Sequence, residues 1–169
     1  MTDNTNRLNR LQETQKLYIL ARNRDPDSRA KLGSAITDLF ADPPLTLREQ
    51  EIVSDILMSL LLQAERDLKQ AVADRLAALT NAPLRVILFL SNEDIDIARP
   101  VITRSPVLTD SDLMFIIQTH KSPHWQAVAT RPDLKSQVIE TLVGTGDVST
   151  ARVLVGNRFI TIPRTSLEV

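Results

Sequence analysis

Lys69-Gln-Ala-Val-Ala-Asp-Arg75, Ala98-Arg-Pro-Val-Ile-Thr-Arg104 and Trp125-Gln-Ala-Val-Ala-Thr-Arg131 repeat one order of small, apolar and basic residues at steps of 29 and 27. A fourth copy, Thr150-Ala-Arg-Val-Leu-Val-Gly156, follows at a step of 25 with Gly in the Arg position. A weaker copy, Arg29-Ala-Lys-Leu-Gly-Ser-Ala35, stands 40 residues before the first. The anchors of these segments are Leu32, Val72, Val101, Val128 and Val153. Between them lie second apolar stretches, Leu84–Leu90, Asp110–Gln118 and Leu134–Val143, with helical spacing. Each unit therefore reads as a helical hairpin. One hairpin cannot bury its apolar face alone, so a period of this length predicts stacking of neighbours into one continuous core.

The surrounding sequence agrees. Leu8, Leu11, Leu17, Tyr18 and Ala21 recur at three to four residue steps, as do Leu32, Ala35, Ile36, Leu39 and Phe40 after the Asp25-Pro26-Asp27 break. A further helix starts at Thr46, where Glu49 completes a capping box, and carries Ile52, Ile56, Leu57, Leu60 and Leu61 on one face. The four Gly and nine Pro fall mostly between these stretches. Asn81-Ala-Pro83, Ser105-Pro106, Ser122-Pro123, Arg131-Pro-Asp133 and Gly144-Thr-Gly146 are read as turns. The fold expected is all-α, a right-handed α-solenoid of HEAT-like helical hairpins. It is a single domain over 1–169, with N-terminal helices and an irregular first unit at 1–45, regular repeats at 46–157 and a C-terminal cap or tail at 158–169.

Composition narrows the function classes. With 169 residues and 43% apolar content, the chain can close a core without disulfides or a structural metal. The absence of Cys removes thiol nucleophiles and Cys-based zinc sites. Basic and acidic residues number 11 and 12 over 1–84 and 9 and 9 over 85–169, so no global charge draws the chain to nucleic acid or anionic lipid. Met1 to Asn9 is polar with no apolar run behind it, and Ile56–Leu62 is too short to span a bilayer. Cytoplasmic residence and no membrane partner are the expectation.

The segments Thr46-Leu-Arg-Glu-Gln-Glu-Ile-Val-Ser-Asp-Ile-Leu57, Ala71-Val-Ala-Asp-Arg-Leu-Ala77, Ala98 through Leu113 and Ala127-Val-Ala-Thr-Arg-Pro-Asp-Leu134 together resemble the bacterial family called domain of unknown function 2336. The resemblance runs from about 46 to 157. Arg99–Leu113 is its most specific part, since a Pro inside a helical repeat followed by Ser-Pro-Val-Leu-Thr-Asp is an uncommon combination. It implies a HEAT-like fold and carries no established activity. His124-Trp125 departs from the family pattern by placing an aromatic residue where smaller or polar ones are usual.

Five residues are candidates for contact with a partner. Equivalent positions in a stacked array form a row, so Arg75, Arg104 and Arg131 could clasp carboxylates or phosphates. The competing reading is a structural ladder, with each Arg near the end of its helix binding carbonyls or carboxylates of a neighbouring unit. Arg75 lies about 60° from the Val72 direction, on the rim of the buried stripe. Trp125 and His124 are a contact anchor in one reading and core packing in the other. His120 and His124 have metal-ligand spacing, but Pro123 separates them and no third His exists, so no metal is expected. Asp94, Asp96, Asp110 and Asp112 are explained as caps, and Gly144-Thr-Gly146 lacks the Lys of a phosphate loop. No catalytic residue and no cofactor is assigned.

The function expected is a non-catalytic protein-interaction scaffold, a monomer or weak homodimer. The alternative is a nucleic-acid-binding HEAT-like protein, related in fold to alkylpurine DNA glycosylases, which the neutral charge balance disfavours.

Overall fold

A computed structural model of the chain describes residues 16–17, 19–23, 25–40 and 46–161. Among these residues there are no strands. Residues 16–17 and 19–22 are helical, and from residue 25 onward nine helices follow among the described residues: α1 (Pro26–Leu39), α2 (Leu47–Leu62), α3 (Arg66–Leu76), α4 (Leu84–Ser91), α5 (Ile95–Arg104), α6 (Asp110–Thr119), α7 (Ser122–Ala129), α8 (Ser136–Val143) and α9 (Val148–Gly156). The all-α class is as expected. The amphipathic stretch from Leu8 lies largely outside the described residues, as does 162–169 of the tail. Within 16–22, Leu17 is wholly buried and Leu20 and Ala21 pack on the core.

Four helices, α1, α2, α6 and α9, begin where the sequence supplies a side-chain acceptor for the free N–H groups of the first turn, whereas Asp94, expected as a cap, makes no side-chain cap bond at α5. Asp25 accepts from the Ser28 N–H at 2.8 Å, and Pro26 then occupies the first turn without wasting a donor. The box expected at Thr46 is present: the Thr46 N–H donates to Glu49 Oε2 at 2.8 Å, and the Glu49 N–H donates back to Thr46 Oγ1. Thr109 and Asp112 repeat the arrangement at α6. Asp147 caps α9 by accepting from the Thr150 N–H at 2.7 Å. Pro100 stands inside α5. Its ring removes one donor from a helix of only ten residues, which ends four residues later.

Packing sorts the helices into two rows. Each of α1, α3, α5, α7 and α9 packs on the next member of that series. Of the intervening helices, α4, α6 and α8 lie against them, with α2 on α4 and α6 on α8. The anchors read from the sequence all fall in the first row. Leu32, Val72, Val101 and Val128 are buried to 1% exposure or less. Each stands seven residues past the N-cap of its helix, Asp25, Glu65, Asp94 and Lys121 respectively. The last copy differs by one residue. The N-cap of α9 is Asp147, so the seventh position is Leu154, which is buried, whereas Val153 is half-buried. The final step is therefore 26, not 25, because the Asp147 cap fixes the start of the helix.

Ion pairs between residues thirty apart follow the same period. Asp55 meets Arg85 at 2.7 Å between α2 and α4, Asp74 meets Arg104 at 3.0 Å between α3 and α5, and Arg66 meets Asp96 across the same two helices. All are half-exposed or more, so each adds well under about 1 kcal/mol. Cohesion comes from the apolar cluster, which runs without a break from Leu17 to Leu154. No helix among the described residues is long and apolar enough to cross a membrane.

Candidate functional site

Ten residues past each N-cap of the later first-row helices stand Arg75, Arg104, Arg131 and Asn157. Arg75 and Arg104 stand in the last turn of their helices and Arg131 and Asn157 just beyond the ends of theirs, and each faces the preceding helix of the row. Four surroundings result from one position.

Arg131 is 4% exposed. Its Nη1 donates to the carbonyls of Ile102 at 2.8 Å and Ser105 at 3.0 Å, at the end of α5. Asp133 flanks the guanidinium, its Oδ1 3.3 Å from Nε. The last carbonyls of a helix have no intrahelical donor, and this buried cation supplies one. Asn157 does the same one unit later, its Nδ2 donating to the carbonyls of Ala129 at 2.9 Å and Arg131 at 2.8 Å. Asn81, in the turn after α3, donates to the carbonyl of Phe40 at the end of α1 at 2.9 Å. Sequence reading missed both amides. Their signal is a polar residue recurring soon after the apolar repeat, whatever its type.

Arg104 is half-exposed and pairs with Asp74. Arg75 is exposed and lies across Gly33 of α1, so close that a Cβ at Gly33 would stand 2.7 Å from its Nε. The three arginines thus do not form a uniform surface row. Arg75 and Arg104 reach solvent, while Arg131 is buried and its Nη1 is engaged by backbone.

His124 is also buried, and its Nε2 lies 3.0 Å from the carbonyl of Glu93. A carbonyl only accepts, so this nitrogen carries the proton. His120 Nε2 stands 2.9 Å from Asn92 Oδ1, and the two imidazoles stack with centroids 4.0 Å apart and planes 14° from parallel. Burial, and then the neighbouring His124, hold the His120 pKa below its ordinary value. In rings stacked this way the in-plane lone pairs run side by side and do not converge on one metal ion. No group of three metal-ligating side chains occurs among the described residues. Trp125 is half-buried against the core, and its indole N–H donates to the carbonyl of Ile117 at 2.7 Å, tying α7 to the end of α6. Beside it, Ser122 Oγ donates to Asp147 Oδ2 at 2.8 Å. Hydrogen bonds from Thr150, then Ser122, hold the Asp147 carboxyl below the usual range.

The surface also carries large apolar side chains, among them Ile52, expected on the apolar face of its helix with Leu57 and Leu60 but exposed, while its neighbour Val53 is buried. In the second row these are Leu47, Ile52 and Leu62 on α2, Leu84 on α4 and Phe115 on α6. Ile52 and Phe115 occupy equivalent positions, each six residues past its N-cap, Thr46 and Thr109. At the end of the first row Val148, Val155 and Phe159 are exposed.

Residues 97–169 match the model of a family described as an uncharacterised protein conserved in bacteria, domain of unknown function 2336. The matched part begins within α5 and takes in α6 to α9. No curated protein and no solved structure matches the chain.

Proposed function

We propose that this chain, part of which matches an uncharacterised bacterial family, is a non-catalytic cytoplasmic scaffold built as a right-handed α-solenoid of HEAT-like hairpins. It holds another protein against the outer surface of its second row. The observation that carries this reading is the series of large apolar side chains left in water on successive second-row helices: Ile52 at 44%, Leu84 at 42% and Phe115 at 53% exposure. Large apolar side chains left exposed, with charged residues such as Arg48, Glu51 and Arg85 near them in sequence, are a feature of protein contact sites. Arg75 and Arg104 are the two arginines of the row that reach solvent, Arg104 while paired with Asp74, and both can meet an acidic partner.

The test is affinity capture from native lysate, with and without nuclease, comparing the parent chain with Ile52→Glu/Phe115→Glu and with Arg75→Glu/Arg104→Glu after matching their helicity. A specific protein retained through nuclease treatment and lost in the first variant supports the reading. Identical retention by all three chains overturns it. Enrichment that vanishes with nuclease points instead to a phosphate backbone, and a nuclease-resistant protein lost only in the arginine variant moves the contact from the apolar residues to Arg75 and Arg104.

A further inference from the structure

The array is continuous in one row and interrupted in the other. First-row helices pack each on the next, whereas in the second row α2 packs on α4 and α6 on α8, but α6 makes no comparable contact with α4 or α5. The part up to α5 and the part from α6 onward therefore meet mainly where α7 lies on α5. Polar contacts fasten α7 at both ends. At its far end Arg131 holds the carbonyls of Ile102 and Ser105. At its start the stacked His120 and His124 hold the corner between α4 and α5, through Asn92 Oδ1 at 2.9 Å and the Glu93 carbonyl at 3.0 Å. The two fastenings differ in chemistry, because an arginine keeps its charge throughout the physiological range and an imidazole does not.

We propose that the joint between α5 and α7 is acid-sensitive: protonation of the stacked imidazoles releases the start of α7 from the Asn92-Glu93 corner, and the part from α6 to α9 swings about the end held by Arg131. Both Nε2 atoms already carry a proton in the closed joint. The Glu93 carbonyl can only accept, and Asn92 turns Oδ1 towards His120 because its Nδ2 donates to the Leu88 carbonyl at 2.7 Å. Further protons fall on the Nδ1 atoms, and the second of them leaves two like charges on rings 4.0 Å apart, where repulsion is strong at the effective dielectric of a protein. The carboxylates of the adjoining elements are engaged elsewhere. Glu93 is held by Lys69 of α3 at 2.6 Å, Asp94 and Asp96 meet Arg66, and Asp147 of the next corner accepts from Ser122 and Thr150. Lys121, between the two rings in the chain, is itself a cation. Burial and then His124, the causes that hold the His120 pKa down, belong to the closed joint and are relieved when it opens. Where the open joint binds one proton more than the closed one, its population rises about tenfold per pH unit, or about 30-fold from pH 6.5 to pH 5. Opening parts Phe115 on α6 from Ile52 and Leu84 on α2 and α4, so acid loosens the docking surface; that consequence rests on the function proposed above, whereas the joint itself does not.

The chain has no Cys, so nitroxide labels can be attached at Ser59→Cys on α2 and Glu140→Cys on α8, both exposed positions. Double electron–electron resonance on the full chain is expected to give one distance at pH 8 and a second, longer population that grows from pH 6.5 to pH 5, while far-UV circular dichroism stays unchanged. His120→Gln/His124→Gln keeps an amide donor for each acceptor and has no titratable ring, so it holds the single distance at every pH. His120→Gln alone leaves one imidazole without a like-charged neighbour and is expected to abolish most of the growth. The same distance distribution at pH 8 and pH 5, an equal acid-induced population in both glutamine variants, or a new population that appears only with loss of helicity each overturn the joint. Failure to capture a partner leaves this measurement untouched, since no partner takes part in it.

Discussion

Replacing Arg131 with Ala tests whether the turn after a first-row helix holds the preceding unit together. The guanidinium is buried and its Nη1 serves two carbonyls, those of Ile102 and Ser105. Hydrogen bonds to a charged group contribute about 1.5–3 kcal/mol each, and a buried acceptor left without a donor costs about 1–3 kcal/mol. Asp133 at the rim of the site is 66% exposed, so water reaches part of the space and reduces the loss. The expected cost is about 3–5 kcal/mol, or about 6–20 °C in Tm for a chain of this size. Arg104→Ala removes only a half-exposed ion pair and is expected to cost less than about 1 kcal/mol. Arg131→Lys keeps a charge but loses the fork that spans both carbonyls, and falls between the two. Urea denaturation followed by far-UV circular dichroism measures the whole array. The fluorescence of the single Trp, Trp125 in α7, measures the affected unit. Separation of the two transitions in Arg131→Ala shows the C-terminal units opening before the rest. A cost for Arg131→Ala no greater than for Arg104→Ala refutes the structural role.

Three further outcomes follow from the same geometry. Because the folded chain holds the His120 pKa below 6.5, the unfolded chain binds more protons just below that pH, so stability falls as the pH drops through about 6.5 and levels off below the folded value. His120→Asn flattens that part of the stability–pH curve, measured by urea titration at stepped pH. Asn157→Ala strips the donors from the Ala129 and Arg131 carbonyls and is expected to cost about 1–2 kcal/mol, with Trp125 fluorescence reporting the loss first. Gly33→Ala brings a Cβ against the Arg75 guanidinium, which is at the far end of an exposed side chain and can move; in an Arg75→Ala background, where the three nearest atoms are gone, the same change stabilises by about 1 kcal/mol through helix propensity. A destabilisation in that background shows a second obstruction at Gly33.

The period was legible because burial in the first row is set by position: Leu32, Val72, Val101 and Val128 recur seven residues past a cap and lie in the core. It failed by one residue at α9, where Ala151-Arg-Val153 imitates Ala127 and Val128 closely enough to hide that the Asp147 cap brings Leu154 inward. The arginines were legible as equivalent positions but not as sites. Whether an Arg at that position meets Gly33, Asp74 or two bare carbonyls depends on residues about thirty to forty positions earlier, and no local pattern carries that information. The exposed apolar residues were missed for a related reason. Phe115 on α6 and the buried Ile116 beside it are alike in sequence, and only the packing of α6 on α7 and α8 tells them apart.

The ladder of back-reaching donors has a direction. Asn81, Arg131 and Asn157 each come later in the chain than the carbonyls they serve, in α1, α5 and α7 respectively. During synthesis a first-row helix therefore emerges with its last carbonyls bare and is completed only when the following turn has left the ribosome. A chain released early, after α7 but before Asn157, lacks the donor that finishes that helix. Such a construction makes integrity of the array a property of its far end, which gives protein quality control a single place to inspect.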